Sequence, residues 1–170
     1  MLLAGRTIIV TGVGPGLGRG IAEACAREGA NVVLAARSGG EIERLAGELR
    51  AKGQKALPVP TDVRDEASCA RLVDRSVAEF GGLDGLVNSA FQQPPMKTVD
   101  ELSMEAWRDA FDINCHAAVQ MTKAAIPALR KSATPSVVMI TTMSIHLNRP
   151  RFGPYAAAKS ATASEIGRAR

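Results

Sequence analysis

Short apolar runs alternate along the chain with segments whose apolar positions repeat at helical spacing. Most of the runs are rich in branched residues and apolar at consecutive positions, which is typical of parallel strands buried on both faces. They predict five strands, over 6–11, 31–36, 57–59, 83–87 and 136–140. This alternation predicts an α/β fold of the Rossmann type, a doubly wound parallel sheet covered by helices in three layers.

The segments between these runs predict the helices that cross the sheet. Asp65 is the expected N-cap of one of them. A long helix is expected between about 101 and 131, where Pro127 would kink or end it, and a last helix from about Pro154 to the end of the chain. The predicted apolar faces are Leu17, Ile21 and Cys25 in the first helix, Ala70, Val73, Val77 and Phe80 in the helix after Asp65, and Trp107, Phe111, Ala118, Met121 and Ala125 in the long helix.

Composition and charge narrow the class of protein. The 170 residues, 46% of them hydrophobic, suffice for one domain over 1–170. The net charge of +4 comes from scattered basic residues, which argues against a nucleic-acid partner. No apolar run approaches the roughly 20 residues that span a bilayer, and the first residues lack the pattern of an export signal. Three widely spaced cysteines indicate neither zinc nor a disulfide framework, so we expect a cytoplasmic protein without metal or membrane partner.

The first predicted strand runs directly into a glycine-rich turn over 11–18. Gly12, Gly16 and Gly18 are spaced G-x-x-x-G-x-G, which departs from the strict G-x-G-x-x-G register. Without Cβ atoms, such a turn lets a pyrophosphate approach backbone N–H groups and the positive end of the next helix. A merely flexible turn is the alternative. The position after the first strand of an α/β series favours dinucleotide binding.

Residues after the second and third strands bear on the choice of cofactor. The second strand is followed by Arg37, where a site for NAD would usually carry an acidic residue for the ribose 2′-hydroxyl. A guanidinium there favours the 2′-phosphate of NADP, with NAD as the alternative cofactor. Arg37 could also be an ordinary solvated arginine with no role in binding. Asp62 would accept from an adenine amino group with Val63 against the ring, or would only lead into the next helix.

The fifth strand and last helix hold the densest chemistry. Tyr155 and Lys159 are four residues apart and share one helical face. An ammonium beside a phenol stabilises the phenolate, so the pair suits general acid/base work, although such pairs also occur by chance. Tyr155 is the only tyrosine in the chain. Thr142 and Ser144 follow the fifth strand, and either hydroxyl could bind a substrate oxygen.

Asn114 interrupts the apolar stripe of the long helix and is expected to be buried. A buried amide needs hydrogen-bond partners. It would hold a water between Lys159 and bulk solvent, or it would only satisfy a neighbouring backbone group.

Together these residues resemble the short-chain dehydrogenase/reductase family, in its shorter single-domain branch, over essentially the whole chain. The family's T-G-x-x-x-G-x-G, acidic, asparagine and Y-x-x-x-K positions are matched by Thr11, Gly12, Gly16, Gly18, Asp62, Asn114, Tyr155 and Lys159. The resemblance implies an NAD(P)(H)-dependent oxidoreductase that interconverts an alcohol and a carbonyl, with Tyr155 exchanging the proton. It further implies that Lys159 holds the ribose hydroxyls and that Asn114 keeps a relay water in place. Cofactor contacts are expected from Gly12, Gly16, Leu17, Gly18, Arg37, Asp62, Val63, Asn88, Ala90, Tyr155 and Lys159.

Three departures from the family pattern are visible. Thr142 stands where the family has a serine, with Ser144 in reserve, and the family's N-N-A-G motif reads Asn88-Ser89-Ala90-Phe91. Family members continue for about two more strands, whereas this sequence stops at 170, so we expect an exposed apolar edge over 137–140. The chain would then be a fragment or a truncated form that needs a partner surface. A nucleotide-binding module with little or no turnover is the alternative function.

The sequence leaves the substrate open, because the family's pocket residues would mostly follow the last residue present. Its class is a small-molecule alcohol or carbonyl. The resemblance implies a homo-oligomer that pairs through the Asn114 and Tyr155 helices. In the loop before Tyr155, Arg149 and Arg151 could attract an acidic substrate or a cofactor phosphate, or could simply be solvated.

Overall fold

Five parallel strands and six α-helices alternate along the chain in the computed structural model, which describes residues 1–147 and 149–165. The strands are β1 (Thr7–Thr11), β2 (Asn31–Ala36), β3 (Lys55–Pro60), β4 (Gly85–Asn88) and β5 (Ser136–Met139). The helices are α1 (Leu17–Arg27), α2 (Gly39–Ala51), α3 (Glu66–Phe80), α4 (Met104–Phe111), α5 (Ala117–Leu129) and α6 (Gly153–Glu165). A π-helical segment, Asp112–His116, joins α4 to α5, and a 3₁₀ turn, Met143–Ile145, follows β5.

The strand order is β3-β2-β1-β4-β5, and all four pairings are parallel. The chain builds outward from β1 through β2 to β3, then returns to the other side of β1 with β4 and β5. The topological switch point therefore lies between the carboxyl ends of β1 and β4, where ligands of open α/β sheets bind. The predicted doubly wound Rossmann-type sheet is confirmed, and the glycine turn and the loop after β4 meet at this point.

Two apolar layers cover the sheet because successive strand residues point to opposite faces. On one face Ile9 packs with residues of α3 and α5, among them Leu72 and Met121. On the other face Val10 packs with residues of α1 and α2, such as Ile42. Every residue of β1 is buried, as expected for a central strand with helices on both sides.

The predicted inner face of α1 is right in part. Ile21 and Cys25 pack partly buried against the core, as predicted, but Leu17 is 61% exposed. The fully buried residues of α1 are Gly18, Ala22 and Ala26. The physical reason is close packing, because a Cβ at Gly18 would lie 2.4 Å from the carbonyl oxygen of Gly12. Only the smallest side chains let α1 approach the sheet this closely.

The predicted inner face of α3 is also right in part. Val73 is buried and Phe80 packs partly buried against the core, as predicted. Ala70 and Val77 are exposed, and Leu72 is buried instead. Asp65 does cap α3, since its carboxylate accepts from the N–H groups of residues 67 and 68. This cap fixes where the chain turns after the loop that follows β3.

The long predicted helix is formed by α4, the π segment and α5, with Pro127 inside the last turns of α5. Positions 166–170, where the last helix was expected to continue, lie outside the described residues. Val137 and Val138 of β5 are 39% and 44% exposed, and within the described ranges β5 pairs with β4 alone. None of the helices that the structure describes is long and apolar enough to reach across a bilayer.

Candidate functional site

Thr11, the last residue of β1, joins the glycine turn to the loop after β4. Its hydroxyl donates to the carbonyl of Val87 at 3.2 Å and accepts from the N–H groups of Ser89 at 3.0 Å and Ala90 at 3.2 Å. One buried side chain thus satisfies three backbone groups at the switch point. A threonine is suited to this position because its hydroxyl both donates and accepts.

The glycines of the turn have two distinct roles. Gly12 has φ +69°, and a Cβ there would lie 2.5 Å from the Cα of Ala90. Gly12 and Gly18 are therefore packing positions that bring backbone against backbone. A Cβ at Gly14 or Gly16 would meet nothing within 4 Å. These two glycines leave the N-terminus of α1 open to a ligand, and α1 has no side-chain cap to compete for its first N–H groups.

A cleft of about 320 Å³ extends from the glycine turn to the ends of β2 and β3. Its volume is typical of a small-molecule site. It is lined by Gly12, Val13, Gly14, Pro15, Ala36, Arg37, Ser38, Glu41, Thr61, Val63, Ala90, Phe91 and Ile113. An open backbone turn, a free cation and apolar side chains in one cleft fit the phosphate and ring parts of a dinucleotide.

The far end of the cleft carries one cation and one anion. Arg37 is exposed, and no carboxylate lies within 4.0 Å of it among the side chains described, those of residues 1–147 and 149–164. Glu41, which sequence reasoning missed, also lines the cleft but is paired with Arg44 at 2.8 Å. The guanidinium of Arg37 is thus available to an anionic ligand, while the carboxylate of Glu41 is already engaged.

Asp62 is tightly bound to Arg64. The guanidinium donates to both carboxylate oxygens, at 3.0 and 2.7 Å, and the backbone N–H of Arg64 adds a third bond at 3.0 Å. The ion pair lowers the pKa of Asp62 to about 2. Thr61 and Val63, on either side of Asp62, line the cleft. A carboxylate has further acceptor capacity, so contact with an adenine amino group stays a prediction.

Asn88 and Ala90 face different ways at the end of β4. The Asn88 amide donates to the hydroxyl of Thr122 at 3.0 Å and to the sulfur of Met139 at 3.3 Å, which ties β4 to α5 and β5. Ala90 lines the cleft against Gly12. The side chain of Asn88 is therefore committed to neighbouring elements, while Ala90 is where a bound ligand would pass.

Tyr155 lies between two aromatic rings. Phe91 meets it edge to face with ring centroids 5.3 Å apart, and the ring of Phe152 is 6.5 Å away. Phe91 is 50% exposed and also lines the cleft. The ring of Phe91 thus contacts both the glycine-turn cleft and the ring of Tyr155.

Lys159 lies one turn after Tyr155 on α6 and is 4% exposed. Its Nζ donates to the carbonyl of Ile140 at 2.9 Å. Burial lowers the pKa of Lys159 below its ordinary value, because the charged form loses hydration. A buried ammonium of this kind is poised to interact with a polar group that enters beside Tyr155.

Asn114 lies within the π segment and is 1% exposed, as its position in the apolar stripe predicts. Its amide donates to the carbonyls of Gln92 and Ala110, both at 3.0 Å, and its oxygen accepts from the N–H of Gln92 at 3.3 Å. The side chain clamps the loop after β4 to the long helix. Of the two alternatives expected for Asn114, the structure shows the one in which its amide satisfies neighbouring backbone groups. Its role in holding a water stays a prediction.

The backbone carbonyl of Asn114 has its own partner on α6. The hydroxyl of Thr162 lies 2.9 Å from this carbonyl and 3.0 Å from that of Ala158, and it donates to one of them at a time. A π segment frees such a carbonyl because its hydrogen-bond pattern shifts by one residue. Thr162 therefore links the helix of Tyr155 and Lys159 to the Asn114 segment.

Thr142 and Ser144 form a small turn after β5. The hydroxyl of Thr142 accepts from the N–H of Ser144 at 3.2 Å and lies 3.3 Å from the Ser144 hydroxyl. Both side chains are half-buried. The Thr142 hydroxyl caps its own turn and donates to the Ser144 hydroxyl, which leaves it one lone pair for a further partner.

Sequence reasoning missed Thr162 and Gln92 and did not foresee that Phe91 packs on Tyr155. Thr162 is three residues after Lys159, so helical spacing could have placed the two on adjoining parts of one face. Gln92 acts through its backbone, which leaves no signal in the sequence. Within the described residues no three metal-binding side chains are grouped to hold an ion.

A doubly wound parallel sheet with a glycine turn and an open cleft at its switch point defines the Rossmann-type class of α/β proteins. The family model described as short chain dehydrogenase matches residues 6–166, and this chain belongs to that family. The resemblance expected from the sequence is confirmed.

Individual proteins agree with this assignment. The chain is 38% identical over 153 residues to hydroxysteroid dehydrogenase-like protein 2 of Danio rerio, covering 82% of this chain and 35% of that protein. It is 35% identical over 161 residues to the uncharacterized oxidoreductase YhxD of Bacillus subtilis (strain 168), covering 94% and 53%. A solved 7 alpha-hydroxysteroid dehydrogenase complexed with NADH and 7-oxo glycochenodeoxycholic acid superposes with a TM-score of 0.90 at 26% identity, covering 95% of this chain and 63% of that one. The chain thus spans about a third to three fifths of the length of these relatives.

Proposed function

We propose that the protein is an NADP(H)-preferring oxidoreductase that interconverts an alcohol and a carbonyl. The observation that carries this proposal is the position of Phe91, which lines the glycine-turn cleft and lies 5.3 Å, ring to ring, from Tyr155. The cleft proposed for the nucleotide and the residue proposed for proton transfer thus share Phe91 as a neighbour. The names of the relatives, an oxidoreductase and a hydroxysteroid dehydrogenase-like protein, support the same reaction class.

The nucleotide would occupy the cleft from the glycine turn to Arg37. When bound, a nicotinamide would donate hydride to the carbonyl carbon in reduction and accept it from the alcohol carbon in oxidation. The open backbone at Gly14 and Gly16 would hold the pyrophosphate, and Arg37 would pair with a 2′-phosphate. The similar 7 alpha-hydroxysteroid dehydrogenase was solved with NADH, which supports a nicotinamide cofactor and keeps NAD as the alternative.

Tyr155 would exchange the proton. In reduction the phenol donates to the carbonyl oxygen, and in oxidation the phenolate accepts from the hydroxyl. Lys159, buried one turn away, would hold the ribose hydroxyls and favour the phenolate when it is protonated. Thr142, with Ser144 in reserve, would hydrogen-bond the substrate oxygen, and the clamp at Asn114 would fix the loop that carries Phe91.

The decisive experiment separates turnover from binding. Tyr155→Phe keeps the ring contact with Phe91 and removes the hydroxyl, so we expect loss of NADPH oxidation with a carbonyl panel at an unchanged NADPH dissociation constant. Arg37→Gln is the partner variant, and it should weaken NADPH binding while leaving NADH binding unaltered. Unchanged turnover in Tyr155→Phe would refute the proposed role of the phenol.

A nucleotide-binding module with little or no turnover is the second candidate. It is favoured by the hydroxyl of Thr142, which already caps its own turn, and by Lys159, whose Nζ already bonds Ile140. This candidate predicts saturable NADPH binding without reduction of any carbonyl. Turnover by the purified protein would exclude it.

Assembly and location complete the proposal. We infer a homo-oligomer that pairs through the Asn114 and Tyr155 helices, supported by the half-buried Trp107 and Phe111 rings that stack 6.0 Å apart on α4. Light scattering across a concentration series tests this pairing. A cytoplasmic location and a small-molecule substrate complete the proposed picture.

A further inference from the structure

The loop between β5 and α6 places positive charge beside the phenol. The guanidinium carbon of Arg149 lies 5.9 Å from the ring centroid of Phe152, and that ring lies 6.5 Å from the ring of Tyr155. The cation is thus separated from the phenol by a single aromatic ring. A guanidinium above an aromatic face is held in place without being neutralised.

The charge of this loop has no internal counterion. Among the side chains of residues 1–147 and 149–164, no carboxylate oxygen lies within 4.0 Å of Arg149 or Arg151. The arginines that do have such partners are Arg6, Arg19, Arg44, Arg64 and Arg71. Both side chains of the loop are exposed, so an anion arriving from solvent meets an uncompensated cation.

The backbone of the loop accounts for the position of Arg149. Arg151 has φ +67°, the only non-glycine residue with positive φ among those described, and the N–H of Phe152 donates to the carbonyl of Arg149 at 3.4 Å. This tight bend turns the side chain of Arg149 back over the Phe152 ring. A left-handed conformation at a non-glycine residue costs free energy and is found most often where function requires it.

Phe91 closes the other side of the phenol, so Tyr155 has apolar rings on both flanks and a cation beyond the outer ring. We propose that the substrates are apolar ketones or secondary alcohols that carry a carboxylate, and that Arg149 binds this carboxylate. The inference rests on the proposed function, because it assigns the part of the substrate that does not react. A planar guanidinium matches a carboxylate in geometry and charge.

The test compares a charged ketone with its neutral ester, which differs only by one added methyl group. Binding of 4-acetylbenzoate and of its methyl ester is measured by calorimetry at saturating NADP+, which cannot reduce a ketone. We expect the acid to bind about threefold to tenfold more tightly than the ester, as a partly exposed charge-assisted contact should give. Arg149→Met keeps an apolar side chain over Phe152 and should bring the ratio to about one. Added salt should lower the ratio in the wild type.

Matched variants identify the source of any effect. Arg149→Lys retains the charge and should keep part of the preference, while Arg75→Met, which removes an exposed arginine on α3, should keep all of it. Equal binding of acid and ester, binding of neither, or a preference that survives Arg149→Met would overturn the inference. So would a weaker NADPH affinity in Arg149→Met, because the cofactor phosphate would then be the anion.

The proposed function is judged by a separate readout. NADPH oxidation at 340 nm is followed with the acid, the ester and a wider carbonyl panel. Turnover without a charge preference would refute the role of Arg149 and leave the oxidoreductase intact. A charge preference in binding without any turnover would support the role of Arg149 and refute the oxidoreductase activity.

Discussion

Replacing Gly12 by alanine should destabilise the fold far more than the same change two residues later. Gly12 has φ +69°, and its Cβ would lie 2.5 Å from the Cα of Ala90 and 2.7 Å from the carbonyl oxygen of Ser89. At Gly14 φ is not positive, and a Cβ would meet nothing within 4 Å. The two variants add the same methyl group to the same turn, so their difference measures the combined cost of the left-handed backbone and the close packing at Gly12.

The magnitude follows from two costs at Gly12. A left-handed conformation costs an L-residue roughly 1–2 kcal/mol, and overpacking against rigid neighbours costs typically about 1–3 kcal/mol. The atoms in the way belong to the backbone and cannot rotate aside. We therefore expect the free energy of unfolding to fall by about 2–5 kcal/mol in Gly12→Ala, and by no more than about 0.5 kcal/mol in Gly14→Ala.

Urea unfolding followed by circular dichroism measures both variants. With a slope of about 2 kcal/mol per molar urea, the midpoint of Gly12→Ala should fall by roughly 1–2.5 M, or the variant should fail to fold. Gly14→Ala should unfold with the wild type. Equal midpoints in the two variants would show that the close approach of the turn to Ala90 does not limit stability.

Two further predictions concern single contacts. Thr162→Val should lower the free energy of unfolding by about 1–2 kcal/mol, because the carbonyl of Asn114 loses its donor. Thr162→Ser keeps the hydroxyl and should be as stable as the wild type. Thermal or urea unfolding measures both variants, and an equal loss in both would attribute the effect to packing instead. Because the folded-state pKa of Asp62 is lowered to about 2, its ion pair with Arg64 stabilises the fold above about pH 4 and is lost as the pH falls towards 2. Asp62→Asn should therefore show a weaker loss of stability over this range in acid titrations, and an unchanged profile would contradict the assignment.

The fold was predictable because strand positions are set by local pattern. The run over 31–36 coincides with β2, and the others lie within a few residues of the observed strands. The inner face of α1 was only partly predictable from apolarity, since Leu17 is the more hydrophobic residue and Gly18 is the buried one. The buried face is decided by the close approach of the α1 backbone at Gly18 to the backbone at Gly12. The hydrophobicity of the side chains does not predict this distance.

The candidate site also has a part that the sequence predicts and a part that it does not. Motif spacing located the glycine turn and the pair Tyr155 and Lys159, because helix geometry converts spacing into proximity. Contacts between segments that are distant in sequence could not be predicted. Asn114 bonds the backbone of Gln92, and Phe91 meets Tyr155 across 64 positions in sequence, counted from their residue numbers. Such pairs depend on how elements pack in three dimensions, and a single sequence carries no trace of them.

The backbone on either side of Phe91 is fastened to a different element. On the N-terminal side the N–H of Ala90 bonds the hydroxyl of Thr11, and on the C-terminal side Gln92 exchanges two hydrogen bonds with Asn114. The peptide that carries the ring has little room to shift, and motion there is restricted to rotation of the side chain about its own bonds. A ligand that binds against the Phe91 ring would contact backbone that is already fixed. Little backbone conformational entropy would therefore be lost on binding.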